Sequence, residues 1–469
     1  MLFPSEIFLF VFLPTVLLIY YAFLRKTKYA KNIFLLIASL FFYAWGEPVY
    51  VYLMTAVIIY NWLFGILVDK FRDRKGLVRL FLFLMVLGNL SVLGYYKYSN
   101  FLISNIDRYF GTSIPIPNIV LPIGISFFTF QAMSYVVDVY RGHGKRQLNP
   151  LQVGLYISFF PQLIAGPIVR YETVAAEIEE RHENLQDFTA GVTRFCIGLS
   201  KKVLIANNMA NVADAAFDLL VVKNYQSSVA MAWLGAISYT LQIFFDFSGY
   251  SDMAIGLGRM FGFHFEENFN FPYVAKSISE FWRRWHMTLQ TWFRDYVYFP
   301  LGGSRVGKVR MVFNLFVVWF LTGIWHGAWW TFIAWGLMYF VLITIEHFTG
   351  LSKNTKWWGH IYTLLFVILG WVIFRSPNLG SAVAYIKEMF GIGAQAVCDS
   401  AVWAYIGQNW IFYVAAILLC FPWFKKVSEK LGKYKAYHIV YALFILGVTF
   451  LSITYIINNA YNPFIYFNF

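Results

Sequence analysis

Two histidines stand where an ionisable side chain is costly. Residues 311–345 contain no Asp, Glu, Lys or Arg, yet His326 lies among them in Gly323-Ile324-Trp325-His326-Gly327. Counted along a helix from residue 311 at ~1.5 Å per residue, it sits roughly 22 Å in. A titratable group at such depth marks a site of chemistry unless it is paired; the bland alternative is a neutral imidazole hydrogen-bonded inside a helix bundle. Gly323 and Gly327 leave room for backbone or substrate to approach. His286, in Phe281-Trp282-Arg283-Arg284-Trp285-His286, lies beside positive charge instead, where it can assist chemistry, orient a substrate or hold structure. An imidazole can take a hydroxyl proton near pH 7. Moving an acyl group from a thioester to a hydroxyl needs that base and a partner for the developing oxyanion.

Arg283, Arg284, Arg294, Arg305 and Lys308 crowd one expected cytoplasmic mouth. Guanidinium groups there suit the phosphates of a donor such as coenzyme A, and ordinary positive-inside topology accounts for the same charges. Gln131, Asp138, Gln162, Asp246, Ser248 and Asp252 lie in apolar surroundings, where the carboxylates either cap helix starts or pair with arginines. Asn268, Asn270 and Pro272 mark a break ahead of His286, and an Asn there hydrogen-bonds a substrate or steadies the turn. Cys196, Cys398 and Cys420 are far apart and lack a CxxC or His-rich setting, which argues for membrane packing and against a disulfide framework or a zinc site. The chain has no phosphate-loop, HExxH or GxSxG motif, and Gly256, Gly258 and Gly262 have the wrong spacing for a dinucleotide fingerprint. ATP-driven transport and serine hydrolysis lose support.

The elements that must position these groups are membrane helices. Of 469 residues, 59% are hydrophobic and 13% charged, more apolar surface than a soluble globule can hide. At roughly 20 apolar residues per crossing, about eleven to thirteen segments fit. Residues 2–24 have no basic residue ahead of their apolar core and no cleavage pattern, so they read as an uncleaved anchor. The net charge of +13 sits in short loops, which points to topology and away from nucleic acid. Basic clusters at 25–31, 70–79, 141–146, 201–202, 276–310 and 425–435 assign the cytoplasmic side. That places both termini outside, with hairpins formed by 31–45 with 49–69 and by 77–96 with 117–137, and a last helix at about 437–457. Residues 172–187 read as an amphipathic loop helix.

Residues 276–298 read as one amphipathic helix that does not span. Phe281, Trp285, Leu289, Trp292 and Tyr296 share one face, and Arg283, His286, Gln290 and Arg294 another. It lies at the interface or re-enters the protein beside a cavity. No repeat or soluble domain interrupts the chain, so 1–469 is expected to be a single all-α membrane domain.

Three blocks together resemble the membrane-bound O-acyltransferases, most nearly the bacterial alginate O-acetylation group. They are Phe281-Trp282-Arg283-Arg284-Trp285-His286-Met287-Thr288-Leu289, Trp292-Phe293-Arg294-Asp295-Tyr296-Val297-Tyr298-Phe299-Pro300-Leu301-Gly302-Gly303, and Gly323-Ile324-Trp325-His326-Gly327-Ala328. The likeness extends to residues 41–46, 124–131, 166–170 and 246–273. It implies helices around a tunnel, with His326 as the catalytic histidine and His286 as its characteristic companion. Arg283, Arg284, Arg294 and Asn268 are then candidates for binding the donor. The resemblance also implies acetyl-CoA as donor substrate, no bound cofactor or metal, and a bacterial cytoplasmic-membrane location. It further implies an extracytoplasmic or membrane-anchored SGNH-type acetyltransferase partner and a surface polysaccharide acceptor. Teichoic acid D-alanyl transfer shares the two-histidine arrangement. A transporter using His326 as a proton relay, and a scaffold with two structural histidines, are the competing classes.

Overall fold

Lipid leaves a backbone one inexpensive arrangement, with each N–H and C=O paired inside a helix. The computed structural model describes residues 1–24, 27–117, 119–218, 227–353, 356–458 and 465. Arg25 and Lys26 of the first basic cluster lie outside them. Among the described residues the regular elements are helices, and the only pairing of strand type is an isolated bridge between Ser228 and Ala396. The all-α expectation is met. Nine described helices are long and apolar enough to cross a membrane. Other apolar segments are shorter or broken: Ile7–Phe23 is a shorter apolar helix, and Pro150–Ser158 stops at Phe159, just ahead of Pro161.

The chain divides into two compact units, Met1–Phe195 with Ser251–Glu266, and Cys196–Tyr250 with Glu267–Phe469. In the first, the helix Tyr50–Lys70 packs against Lys75–Phe110 and Ile125–Arg141. Asn61 and Asn89 exchange side-chain hydrogen bonds of 3.0 and 2.9 Å between two of these helices, both residues buried. Such a pair holds membrane helices together because no water competes for it. The polar stretch at 172–187 supplies the helix Tyr171–Glu179, which buries Tyr171, Val174 and Ile178. Its neighbour Glu183 meets Lys31 at 3.0 Å.

In the second unit the helices Lys308–His326 and Trp330–Thr349 form a close hairpin, and Trp358–Arg375 packs on the second of them. Their shared interior is aromatic, with Trp282, Trp285, Trp335, Tyr339 and Trp371 buried together. The helices Ser400–Leu419 and Lys435–Ile457 bury only Val402 and Ala416, and Ile445 and Ser452, respectively. The rest of their apolar surface faces outward, as it does in helices solvated by lipid.

Both carboxylates of the 246–252 stretch lie well inside the helix Val229–Met260, so neither caps a helix start. In the first unit Arg194 holds Asp252 at 2.9 Å. In the second, Lys202 meets Asp246 at 2.7 Å with both side chains 2% exposed. Mid-helix, a carboxylate finds no spare N–H in its own helix, so a cation from a neighbouring helix pairs with each, and Asp246 also accepts from the Ile465 N–H at 2.9 Å. Of the three cysteines, Cys420 is buried and Cys196 partly so, whereas Cys398 is exposed and serves no packing.

Candidate active site

The second unit encloses a cavity of about 390 Å³. Leu315, Trp319, Thr322 and His326 all line it from the helix Lys308–His326. Their spacing of four, three and four puts them on one face of that helix, so the cavity follows the helix for roughly 16 Å at ~1.5 Å per residue. The opposite wall comes from 279–298, including Arg283, His286, Gln290, Arg294 and Tyr298. Arg283, Gln290 and Arg294 are exposed, while His286 and His326 are 3% and 7% exposed. Cationic groups reached by solvent therefore share one chamber with two buried imidazoles.

The wall is not the single amphipathic helix that periodicity predicts. It is two short helices, Ile278–Arg284 and Met287–Phe293, followed by a π-helical turn, Arg294–Tyr298. The first begins with its donors satisfied. Ser277 accepts from the N–H of Glu280 at 3.0 Å, and Glu280 reaches back to the N–H of Lys276 at 2.9 Å, much as in a capping box. Glu346, fully buried, accepts from the N–H groups of Ile278 and Ser279 at 2.6 and 2.8 Å and from the Ser279 hydroxyl at 2.6 Å. The sequence reading passed over Glu346. It ends a long uncharged run, and nothing in its spacing points to a partner 67 residues away.

The break falls at His286, whose φ is 44°; it and Phe271, at 45°, are the only non-glycine residues with positive φ among those described. Each such left-handed residue costs on the order of 1 kcal/mol. The segment 268–270 clasps this bend. Backbone bonds run from Asn270 N–H to Arg284 O at 2.9 Å and from Met287 N–H to Asn268 O at 3.0 Å. Within the clasp, Asn268 Oδ1 lies 3.0 Å from His286 Nδ1 and accepts from the Thr288 N–H and hydroxyl at 3.3 and 2.9 Å. The imidazole packs edge-to-face on Phe247 at 4.6 Å and lies 5.9 Å from Trp325. Burial pushes its pKa down to about 3, so the ring is neutral near pH 7.

His326 ends its helix among the rings of Trp325, Trp335 and Phe374, at 5.0, 5.0 and 5.2 Å between centroids. Trp325 thus touches both histidines. The flanking glycines serve the hairpin. A Cβ on Gly323 would stand 2.6 Å from the Phe332 carbonyl oxygen, and one on Gly327 would stand 2.2 Å from the Phe332 ring. What approaches closely is protein.

The cationic candidates separate. Arg283 and Arg294 line the cavity, and Arg294 also pairs with Asp295 at 2.8 Å. Arg284 is tied to Glu280 at 2.9 Å and to the Asn270 carbonyl at 3.1 Å, and it is not among the lining residues. Asn268 is likewise engaged with His286 and Thr288 and does not line the cavity. Thr322 and Trp319 are lining residues that sequence reading did not single out, and their only signal was helical spacing relative to His326; Tyr298 lines the cavity from the 292–303 block.

Residues 125–381 match the model of the membrane-bound O-acyltransferase family. The chain is 44% identical over 403 residues to the Pseudomonas syringae pv. tomato protein named "Probable alginate O-acetylase AlgI", covering 84% of this chain and 76% of that one. It is 37% identical over 440 residues to the peptidoglycan O-acetyltransferase of Helicobacter pylori, covering 85% and 81%. It is 31% identical over 284 residues to the teichoic acid D-alanyltransferase of Bacillus subtilis, covering 55% and 70%.

Proposed function

Because the chain belongs to the membrane-bound O-acyltransferase family, we propose that this integral membrane acyltransferase takes acetyl groups from cytoplasmic acetyl-CoA and passes them across the membrane for O-acetylation of a surface or cell-wall polysaccharide. The observation that carries the reading is the shared chamber, with Arg283 and Arg294 exposed on one wall and His286 and His326 buried beside it. Guanidinium groups hold the donor's phosphates, and the thioester lies towards the histidines.

His326 then takes the proton of the attacking hydroxyl, or itself holds the acyl group in transit. With His326 as base, the hydroxyl oxygen bonds the acyl carbon, the carbon–sulfur bond breaks, and the hydroxyl proton passes through His326 to the departing thiolate. With His326 as relay, a ring nitrogen bonds the acyl carbon as the carbon–sulfur bond breaks, and the acceptor hydroxyl then displaces that nitrogen, its proton going to the thiolate. His286 assists from the opposite wall. The acceptor is a polysaccharide of the kind named for the relatives, alginate or peptidoglycan, or another exopolysaccharide. An extracytoplasmic or membrane-anchored SGNH-type acetyltransferase at the bacterial cytoplasmic membrane completes the ester.

Similarity to a D-alanyltransferase favours a second reading, in which the carried group is D-alanyl. One experiment separates them. Surface glycans from cells with wild-type protein, His326→Ala or none, at matched membrane levels, are treated with mild base. Released acetate that falls to the null level in His326→Ala supports acetyl transfer, and released D-alanine that does so supports the alternative. If all three strains release both compounds equally, both readings are wrong.

A further inference from the structure

The break between the two short helices carries more than a change of direction. Asn268 brings one oxygen to three donor positions: the Thr288 hydroxyl, the Thr288 N–H and His286 Nδ1. A backbone N–H can only donate, so the Asn268 atom facing it is the carbonyl oxygen rather than the amide nitrogen. An imidazole nitrogen 3.0 Å from that oxygen must bring the hydrogen itself. We infer that Asn268 is a positioning residue that fixes His286 as its Nδ1–H tautomer, so that Nε2 serves as a proton acceptor for the chemistry in the cavity.

Three further observations converge on this assignment. His286 holds a left-handed backbone conformation that a non-glycine residue adopts only when its surroundings impose it. The surroundings that impose it are the two backbone bonds of the 268–270 clasp, which also sets Asn268 beside the ring. Phe247 packs edge-to-face on the imidazole and resists its rotation. His286 is among the residues lining the cavity, and with Nδ1 engaged by Asn268 the ring's proton-accepting nitrogen is Nε2. A histidine held this way offers a lone pair and no N–H. It accepts from a hydroxyl or thiol, and it does not donate to an oxyanion. That divides the work of the two histidines, and it rests on the acyl-transfer reading for the identity of the reacting groups.

The tautomer can be read without any activity. Purified wild-type protein carrying nitrogen-15 histidine is placed in lipid at pH 7, and the His286 signals are assigned among the eight histidines by their loss in His286→Gln. A protonated Nδ1 and a bare Nε2 are expected, with Asn268→Ala showing a mixture or the reverse. A wild-type Nε2–H tautomer or an imidazolium overturns the inference.

The functional arm uses ester-linked acyl release. Asn268→Ala should lower it roughly 10- to 100-fold, the range seen when the group orienting a metal-ligating histidine is removed. Asn268→Asp, which still accepts from Nδ1–H, should stay within about threefold of wild type while moving the acid limb of the pH profile upward. Unchanged tautomer and release in Asn268→Ala refute the positioning role even while His326→Ala abolishes release. If wild-type cells release no acyl group at all, the acyl-transfer reading has failed and the resonance result still decides the tautomer.

Discussion

Glu346 holds Ser279 twice. Its Oε2 accepts from the Ser279 backbone N–H at 2.8 Å and from the Ser279 hydroxyl at 2.6 Å, while Oε1 takes the neighbouring Ile278 N–H at 2.6 Å. A carboxylate at the end of one membrane helix therefore anchors the first turn of the short helix that carries Trp282 and Arg283 into the cavity wall. Replacing Glu346 by Ala strands the buried Ile278 N–H and the two part-buried Ser279 donors, at about 1–3 kcal/mol for each that finds no substitute. Thermal unfolding in detergent should rank Glu346→Ala below Glu346→Gln and both below wild type. Equal stability of the three would remove the anchor from the account.

The hairpin that aims His326 depends on close backbone contact. A methyl on Gly323 would meet the Phe332 carbonyl oxygen at 2.6 Å, whereas one on Gly447 would meet nothing within 4 Å. Gly323→Ala should move the helix end by a fraction of an ångström or more and lower acyl transfer at least tenfold, because misplacement near 1 Å costs roughly 10²-fold. Gly447→Ala should leave membrane level and transfer unchanged. A functional Gly323→Ala protein at wild-type levels would contradict the packing described.

The Lys202–Asp246 pair is buried on both sides. Removing one partner leaves an uncompensated charge, so Lys202→Met should destabilise by about 3–5 kcal/mol. Lys202→Met combined with Asp246→Leu should recover much of that loss. Additive losses in denaturation of the single and double variants would show that the two side chains are not coupled.

Arg283 and Arg284 are adjacent in sequence and differ in their surroundings. Arg283 lines the cavity, whereas Arg284 is spent on Glu280 and the Asn270 carbonyl. Arg283→Ala should raise the KM for the acyl donor roughly tenfold, equivalent to ~1.4 kcal/mol and close to the low end for one hydrogen bond to a charged group. The effect should shrink as salt screens the exposed guanidinium. Arg284→Ala should act on stability and leave that KM near wild type. Donor-dependence curves for the two variants decide it.

His286 gives stability a pH dependence of known sign. Its folded pKa lies below the ordinary 6.5, at about 3, because burial disfavours the charged ring. Between those values the unfolded chain binds the extra proton, so stability falls as pH drops through this window and levels off below it. Melting temperatures of wild type measured between pH 7 and pH 4 should therefore decline more steeply than those of His286→Gln. Parallel curves would mean that the ring is not buried as described.

The sequence alone determined the class of fold and the identity of the groups able to do chemistry. A charge-free run longer than a bilayer crossing must be a helix in lipid, and a histidine inside it declares itself by its cost. Residues 281–303 and 323–328 carried the family as well, since their residue types recur as a set. Tertiary structure decided which candidates share a chamber. Helical periodicity joined 276–298 into one face because it describes an unbroken helix, and it has no term for the 268–270 clasp that turns the chain at His286. The surroundings of Arg284, Asn268, Asp246 and Glu346 were likewise set by partners as far as 219 residues away in sequence. Composition reports that a polar group is buried in lipid; only the packing of separate helices supplies the hydrogen-bond partner that makes its burial tolerable.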